Sequence, residues 1–305
     1  MPKCLSFHAG YRCRHSGACC RAGWAIPFDA AEQEGVRALH LDVGSFAPAG
    51  GDGVRLAARH ATGACTFFSE DGHHCAIHRA GGQAALPLTC RMFPRVVLHD
   101  PRGTFISLSH FCPTAASMLF EPPGTDTPVS IVAAPSALSD VGPLDGLDAR
   151  DAWPPLLRPG FLMDLEAYTT WERLAIELLV RPGIAARTSL DALAVMTRRL
   201  ARWTPGSTPL VHAVRDGFST VAPPTDVLDP HETALKRWLA ARLFGAWIAY
   251  QGDGLDTTVR YLGVCLDTFG REYARDGNPL EAIRRSDRQI LHEADSQQLA
   301  NTLKA

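Results

Sequence analysis

Eight of the nine cysteines lie at or before position 112: Cys4, Cys13, Cys19, Cys20, Cys65, Cys75, Cys90 and Cys112, with only Cys265 beyond. One part of the chain carries thiol chemistry and the rest does not. The compartment decides what such thiols do. The N-terminus, MPKCLSFHAGYRCRHSG, has no apolar core of about 7–15 residues, so no secretory signal is expected. No apolar run of about 18 residues exists to span a membrane. The nearest candidate, Trp238 to Tyr250, is 13 residues long and contains Arg242. A cytoplasmic location is therefore expected, where thiols stay reduced and clustered cysteines point to metal ligands or redox groups rather than disulfides.

The chain has 305 residues, enough for about two domains at roughly 150 residues each. Its 46% hydrophobic content can fill real cores and excludes wholesale disorder. Thirty Lys and Arg against 32 Asp and Glu give a formal net charge of −2. That balance argues against nucleic acid or an anionic membrane as the partner, since both need a basic field.

Three regions are expected. Residues 1–120 form a Cys/His-rich region of weak periodicity. Trp24 to Phe28 reads as a short extended segment and Ala30 to Leu41 as a short helix. Arg95 to Ser109 reads as a small β-hairpin around Asp100-Pro-Arg-Gly103, with β-favouring Val96, Val97, Leu98, Phe105, Ile106 and Leu108. Residues 121–160 hold eight of the 22 prolines, at 122, 123, 128, 135, 143, 154, 155 and 159. This density reads as a linker or a long wrapping loop. Residues 161–305 read as an α-helical domain. Thr188-Ser-Leu-Asp191 fits a capping box ahead of Leu193, Met196, Leu200 and Trp203. Val259, Leu262, Leu266, Phe269 and Tyr273 form one apolar stripe. Asn278-Pro279 opens a helix through His292, and residues 235–250 form another. The fold class expected is mainly α, with an irregular Cys-rich N-terminal region. Trp153, Phe161, Trp171 and Trp203 are candidates to pack the halves together.

The cysteine spacings are Cys13-x5-Cys19-Cys20, then Cys65-x9-Cys75-x14-Cys90-x21-Cys112. His15, His73, His74, His78 and His110 crowd the same segments. Thiolate and imidazole are the ligands soft enough for zinc or iron. Seven cysteines fill one four-ligand site with spares, or two with help from histidine. Adjacent Cys19-Cys20 point to opposite faces of an extended backbone, so both reach one ion only in a loop, for which Gly17 supplies freedom. His73-His74 reads as an exposed turn, whereas His78 (Cys75-x2-His78) and His110 (His110-x-Cys112) have ligand-like spacing. Cys4 lies outside the clusters, and Cys265 borders the apolar stripe and reads as core packing. Around Cys90, Pro87 stiffens the approach, Arg91 and Arg95 are placed to offset thiolate charge, and Phe93 to exclude solvent.

These residues carry a resemblance. YRCRHSGACCRAGWAIPFD (11–29) resembles the opening of the bacterial zinc/iron-chelating cysteine-cluster family known by its CxxCxxCC motif. Cys75-Ala-Ile followed by Pro87-x-x-Cys90-Arg-x-Phe-Pro94 resembles that family's second signature. Trp24, Ile26 to Asp29, and Ser107-Leu-Ser-x-x-Cys112-Pro113 are similar to the flagellin lysine-N-methylase branch, over about residues 7–120. Ser286 to His292 resembles a terminal helix of that branch only loosely. Ser16 stands where the motif has a cysteine, so the first cluster lacks one thiolate, for which His15, Cys65 or Cys112 could substitute. By position the resemblance implies Cys13, Cys19, Cys20, Cys65, Cys75, Cys90 and Cys112 as metal ligands. It implies an iron–sulfur cluster (4Fe-4S) or zinc, and methyl transfer from S-adenosylmethionine to a lysine of flagellin or another protein substrate.

The parts of a methyltransferase are not otherwise legible. No G-x-G-x-x-G loop follows a strand, Gly50-Gly51 and Gly81-Gly82 read as turns, and no Cys-x3-Cys-x2-Cys triplet exists. Three readings follow: a metal-binding relative of the methylase, a non-enzymatic zinc/iron chelator, and a helical interaction module stabilised by structural zinc.

Overall fold

The structure is a computed structural model. It describes residues 1–41, 45–48, 53–69, 74–121, 128–206, 208–219, 229 and 231–304. Gly50-Gly51, His73, Pro122 and Pro123 lie outside these residues. About 50% of the chain is helical and 14% strand, so it is mixed α/β rather than mainly α.

The correction comes from the hairpin. Arg95–Asp100 and Gly103–Leu108 pair antiparallel, Arg95 opposite Leu108 and Asp100 opposite Gly103. Gly103 closes the turn at φ 127°. The hairpin is the middle of a five-stranded sheet. Lys3–Leu5 runs parallel to Gly103–Leu108, Ile131–Ala133 runs antiparallel to Lys3–Leu5, and Leu147–Asp148 lies parallel along the opposite edge. The proline-rich stretch thus contributes both edge strands, the positions where a missing N–H disturbs a ladder least.

The sheet has two buried faces, and the side-chain alternation sorts them. Leu5, Leu98 and Phe105 join the core of the helical half. Cys4, Val97, Ile106 and Leu108 join a second core with Tyr11, Met92 and Cys112. The sheet therefore stands between the helices and the thiol-bearing segments. A third core of Phe28, Val36, Phe46, Phe67 and Ile77 gathers the remaining N-terminal segments. There Pro27–Phe28, Arg55–Ala57 and Phe46–Pro48 form a small sheet, beside the Ala30–Ala38 helix capped by Asp29.

The helical half follows its apolar stripes with two departures. Ala186–Leu200 starts before Thr188, with Ala185 at its N-cap. Its first amide is satisfied from another helix, Ala186 N–H donating to Glu232 Oε2 at 2.8 Å, so the capping box at Thr188 goes unused. The expected 235–250 helix ends at Leu243 and resumes at Ile248. Gly245 breaks it at φ 58°, where a Cβ would stand 2.8 Å from Phe105 Cβ. The break lets the helix pass close over the sheet. Leu255–Asp276 buries Val259, Leu262, Leu266 and Phe269, with Cys265 at 0% exposure among them. Asn278 caps Pro279–Arg288 by accepting from Glu281 N–H, and a wider π-type turn, Gln289–Glu293, carries His292. Trp171 is fully buried, but Trp153 is 80% exposed and packs nothing together. Among the described residues no helix is long and apolar enough to cross a membrane.

Two buried charge networks pin the sheet. Arg102 bridges Asp100 and Glu172, each at 2.7 Å. Asp287 accepts from Ser109 Oγ, His110 N–H and Trp238 Nε1, with Arg242 3.4 Å away. The second network anchors the chain two residues before Cys112.

Candidate metal centre

Five separate stretches bring thiols together, four of them to the wall of one cavity. The 13–20 loop turns at Gly17, whose φ is 71° and whose absent Cβ would lie 2.4 Å from the Phe68 ring. No side chain fits there, so the loop packs against Phe68, and both Cys19 and Cys20 line the adjoining cavity. Cys65 N–H donates to Cys20 O at 2.8 Å, tying the loop to the next cysteine segment. Cys75 ends the His74–Cys75 strand, opposite Phe68, and precedes the Ala76–Gly81 helix. Cys90 lies on the short Leu88–Met92 helix, held by Leu88 N–H donating to Glu32 Oε1 at 2.6 Å. Cys112 is the N-cap of Pro113–Phe120.

These elements enclose a cavity of about 340 Å³ lined by Cys13, Cys19, Cys20, Cys75, Cys90 and Cys112. Cys65 stands behind the lining, close enough that its charge acts on Cys20 and Cys90. Of the histidines, His15 and His78 line the cavity. His110 does not: it is fully buried, 3.1 Å from His8 between the ring Nε2 atoms. His74 is half-buried in its strand rather than exposed in a turn. Cys4 and Cys265 belong to apolar cores.

The electrostatics set thiols against one another. Cys20 donates to Cys19, which pulls Cys19 down to about 7 against the opposing effect of burial. The same hydrogen bond, then burial and the nearby Cys75 and Cys65, push Cys20 up. Burial pushes up Cys90, Cys65, Cys75 and Cys13, and neighbouring thiolates add to it. Burial, then His15, lowers His78. A cation among these sulfurs would reverse the penalty, because it stabilises each thiolate directly. The donor set thus fits zinc or iron in kind.

It does not converge on a point. Among the described residues no three His, Cys, Asp or Glu side chains form a group that could hold a single ion as placed. The cysteines are spread along the wall of one cavity instead. Other wall residues escaped the sequence reading. Tyr11 OH lies 3.7 Å from Cys112 Sγ, and Asp140, Val141 and Thr114 also line the cavity. Only the position of Tyr11 two residues before Cys13 could have pointed to it. Arg95 lines the cavity but spends its guanidinium on Leu138 O, Ala137 O and Arg91 O, so it braces the wall as well as lending charge. Phe93 is also in the wall. Comparison with protein-family models, curated proteins and solved structures finds no match to this chain.

Proposed function

We propose that this chain is a metalloprotein that holds an iron–sulfur cluster or zinc with thiolates of the cavity. The observation that carries the reading is six cysteines from four separate stretches of chain lining one cavity of about 340 Å³. Independent core packing of free thiols gives no reason for them to share a wall, and Cys4 and Cys265 illustrate where such thiols go. The ligands proposed are drawn from Cys13, Cys19, Cys20, Cys75, Cys90 and Cys112, with Cys65 adjacent. The open space between sulfurs favours a polynuclear cluster over a lone ion, which needs its donors gathered at a point. Such a group supplies electron transfer or Lewis acidity; the chain supplies the thiolates, the dry wall of Phe68, Phe93 and Val141, and the positive charge of Arg95. The test is the visible spectrum of protein purified without oxygen. A broad absorption that bleaches on reduction supports the cluster, and a colourless protein with bound zinc supports the alternative metal. A colourless protein without metal removes the proposal.

A finer reading adds methyl transfer from S-adenosylmethionine to a protein lysine, with flagellin as substrate. One observation favours it: the cavity falls within the size range of small-molecule pockets, about 300–1,000 Å³. Calorimetry of the metal-loaded protein with S-adenosylmethionine tests this, and an absence of binding heat eliminates it.

A further inference from the structure

We infer that His15 and His78 are ligands of this centre, which makes it a mixed thiolate–imidazole site. The inference rests on the reading that the cavity holds a metal. Three observations carry it. The His15 backbone is left-handed, at φ 53°, a conformation uncommon for a residue with a Cβ. It folds the ring back toward Cys13, with Nδ1 3.8 Å from Sγ. A tetrahedral ion with metal–sulfur and metal–nitrogen distances of about 2.3 and 2.0–2.1 Å holds those two atoms about 3.6 Å apart. Cys13 and His15 therefore stand at nearly the spacing of two ligands that share one zinc, or one iron of a cluster with two protein ligands per iron.

The second observation is the partner ring. His78 packs on His15 with 4.1 Å between centroids and the planes tilted by 47°. It sits one helical turn after Cys75, so Cys75 and His78 project from the same short helix start toward the same cavity. Two cysteine–histidine pairs from distant segments thus meet at the cavity. The third observation is what the rings lack. Among the described residues, the hydrogen-bond partner of His15's ring is Cys13 and His78's ring has none. No carboxylate or carbonyl there accounts for two imidazoles lying against each other.

Imidazole is neutral where thiolate is anionic. A centre with two histidines carries less negative charge and is easier to reduce than an all-thiolate one. X-ray absorption at the iron and zinc edges of the full-length, anaerobically purified protein tests the assignment. Expected is a mixed sulfur and nitrogen shell with the outer-shell scattering of imidazole, lost in the His15→Ala/His78→Ala variant. A sulfur-only shell in the unaltered protein overturns the inference and leaves the metalloprotein reading standing. Imidazole scattering that persists in the double variant overturns the assignment to these two residues. Protein without metal at either edge overturns both readings together. The unaltered protein decides the first and third outcomes without any variant.

Discussion

Asp287→Asn perturbs the buried network that anchors the chain two residues before Cys112. The carboxylate is 0% exposed and faces four groups. Oδ2 accepts from Ser109 Oγ at 2.9 Å and His110 N–H at 2.6 Å. Oδ1 accepts from Trp238 Nε1 at 2.8 Å and stands 3.4 Å from Arg242 Nη1. Asparagine keeps the shape but offers one oxygen, so its NH₂ must face another donor. It also leaves Arg242, itself buried, without its anionic partner. Removing one member of a buried ion pair costs about 3–5 kcal/mol. We expect about 4 kcal/mol, read as a fall in the urea midpoint of about 1 M or more, followed by tryptophan fluorescence. The pH dependence has a definite sign. Burial alone would raise Asp287, but Arg242, His110 and Trp238 together hold it below the ordinary carboxylate range. Its stabilisation is therefore complete above the unfolded value of about 3.9 and is lost as pH falls through the lower folded value. The gap between the two proteins should narrow in acid. A loss under about 1 kcal/mol at pH 7 would refute the network as an anchor.

Gly17→Ala combines a left-handed backbone with a 2.4 Å clash against Phe68, so it should cost about 1–3 kcal/mol and reduce metal retention. Unchanged melting and metal content would contradict the loop geometry. In metal-free protein near neutral pH, Cys19, drawn down to about 7, should alkylate ahead of Cys90 and Cys20, as peptide mass spectrometry would show. Equal labelling of the adjacent pair would count against a proton held on Cys20. Trp153→Ser should change stability by less than about 0.5 kcal/mol, since the ring is 80% exposed. A larger loss in calorimetry would mean that Trp153 packs where the fold leaves it bare.

How much was legible depended on where each signal was written. The Asp100-Pro-Arg-Gly103 turn and the Asn278 cap are local, and both stand where the sequence puts them. The five-stranded sheet was not legible, because Lys3–Leu5 has three residues, too few for alternation, and pairs with strands about a hundred positions away. The Thr188 cap failed because a tertiary partner, Glu232, took over the helix start. The 235–250 helix failed because its hydrophobicity is continuous through Gly245, while the break is dictated by contact with Phe105. For the site, spacing singled out seven thiols, six of which line one cavity. It could not say that His78 would reach the cavity and His110 would not. Both lie within three residues of a cysteine, but His110 follows the Gly103–Leu108 strand into the buried Asp287 network, whereas His78 follows Cys75 along a short helix.

If cavity thiols, and not thiols at large, grip an inorganic centre, metal bound per chain will separate the two groups when measured side by side on anaerobically purified Cys19→Ala, Cys90→Ala, Cys4→Ala and Cys265→Ala. Metal in the unaltered protein should be lost in the first two and kept in the last two, whose sulfurs sit in apolar cores. Equal retention in all four, or no metal in the unaltered chain, would contradict the account.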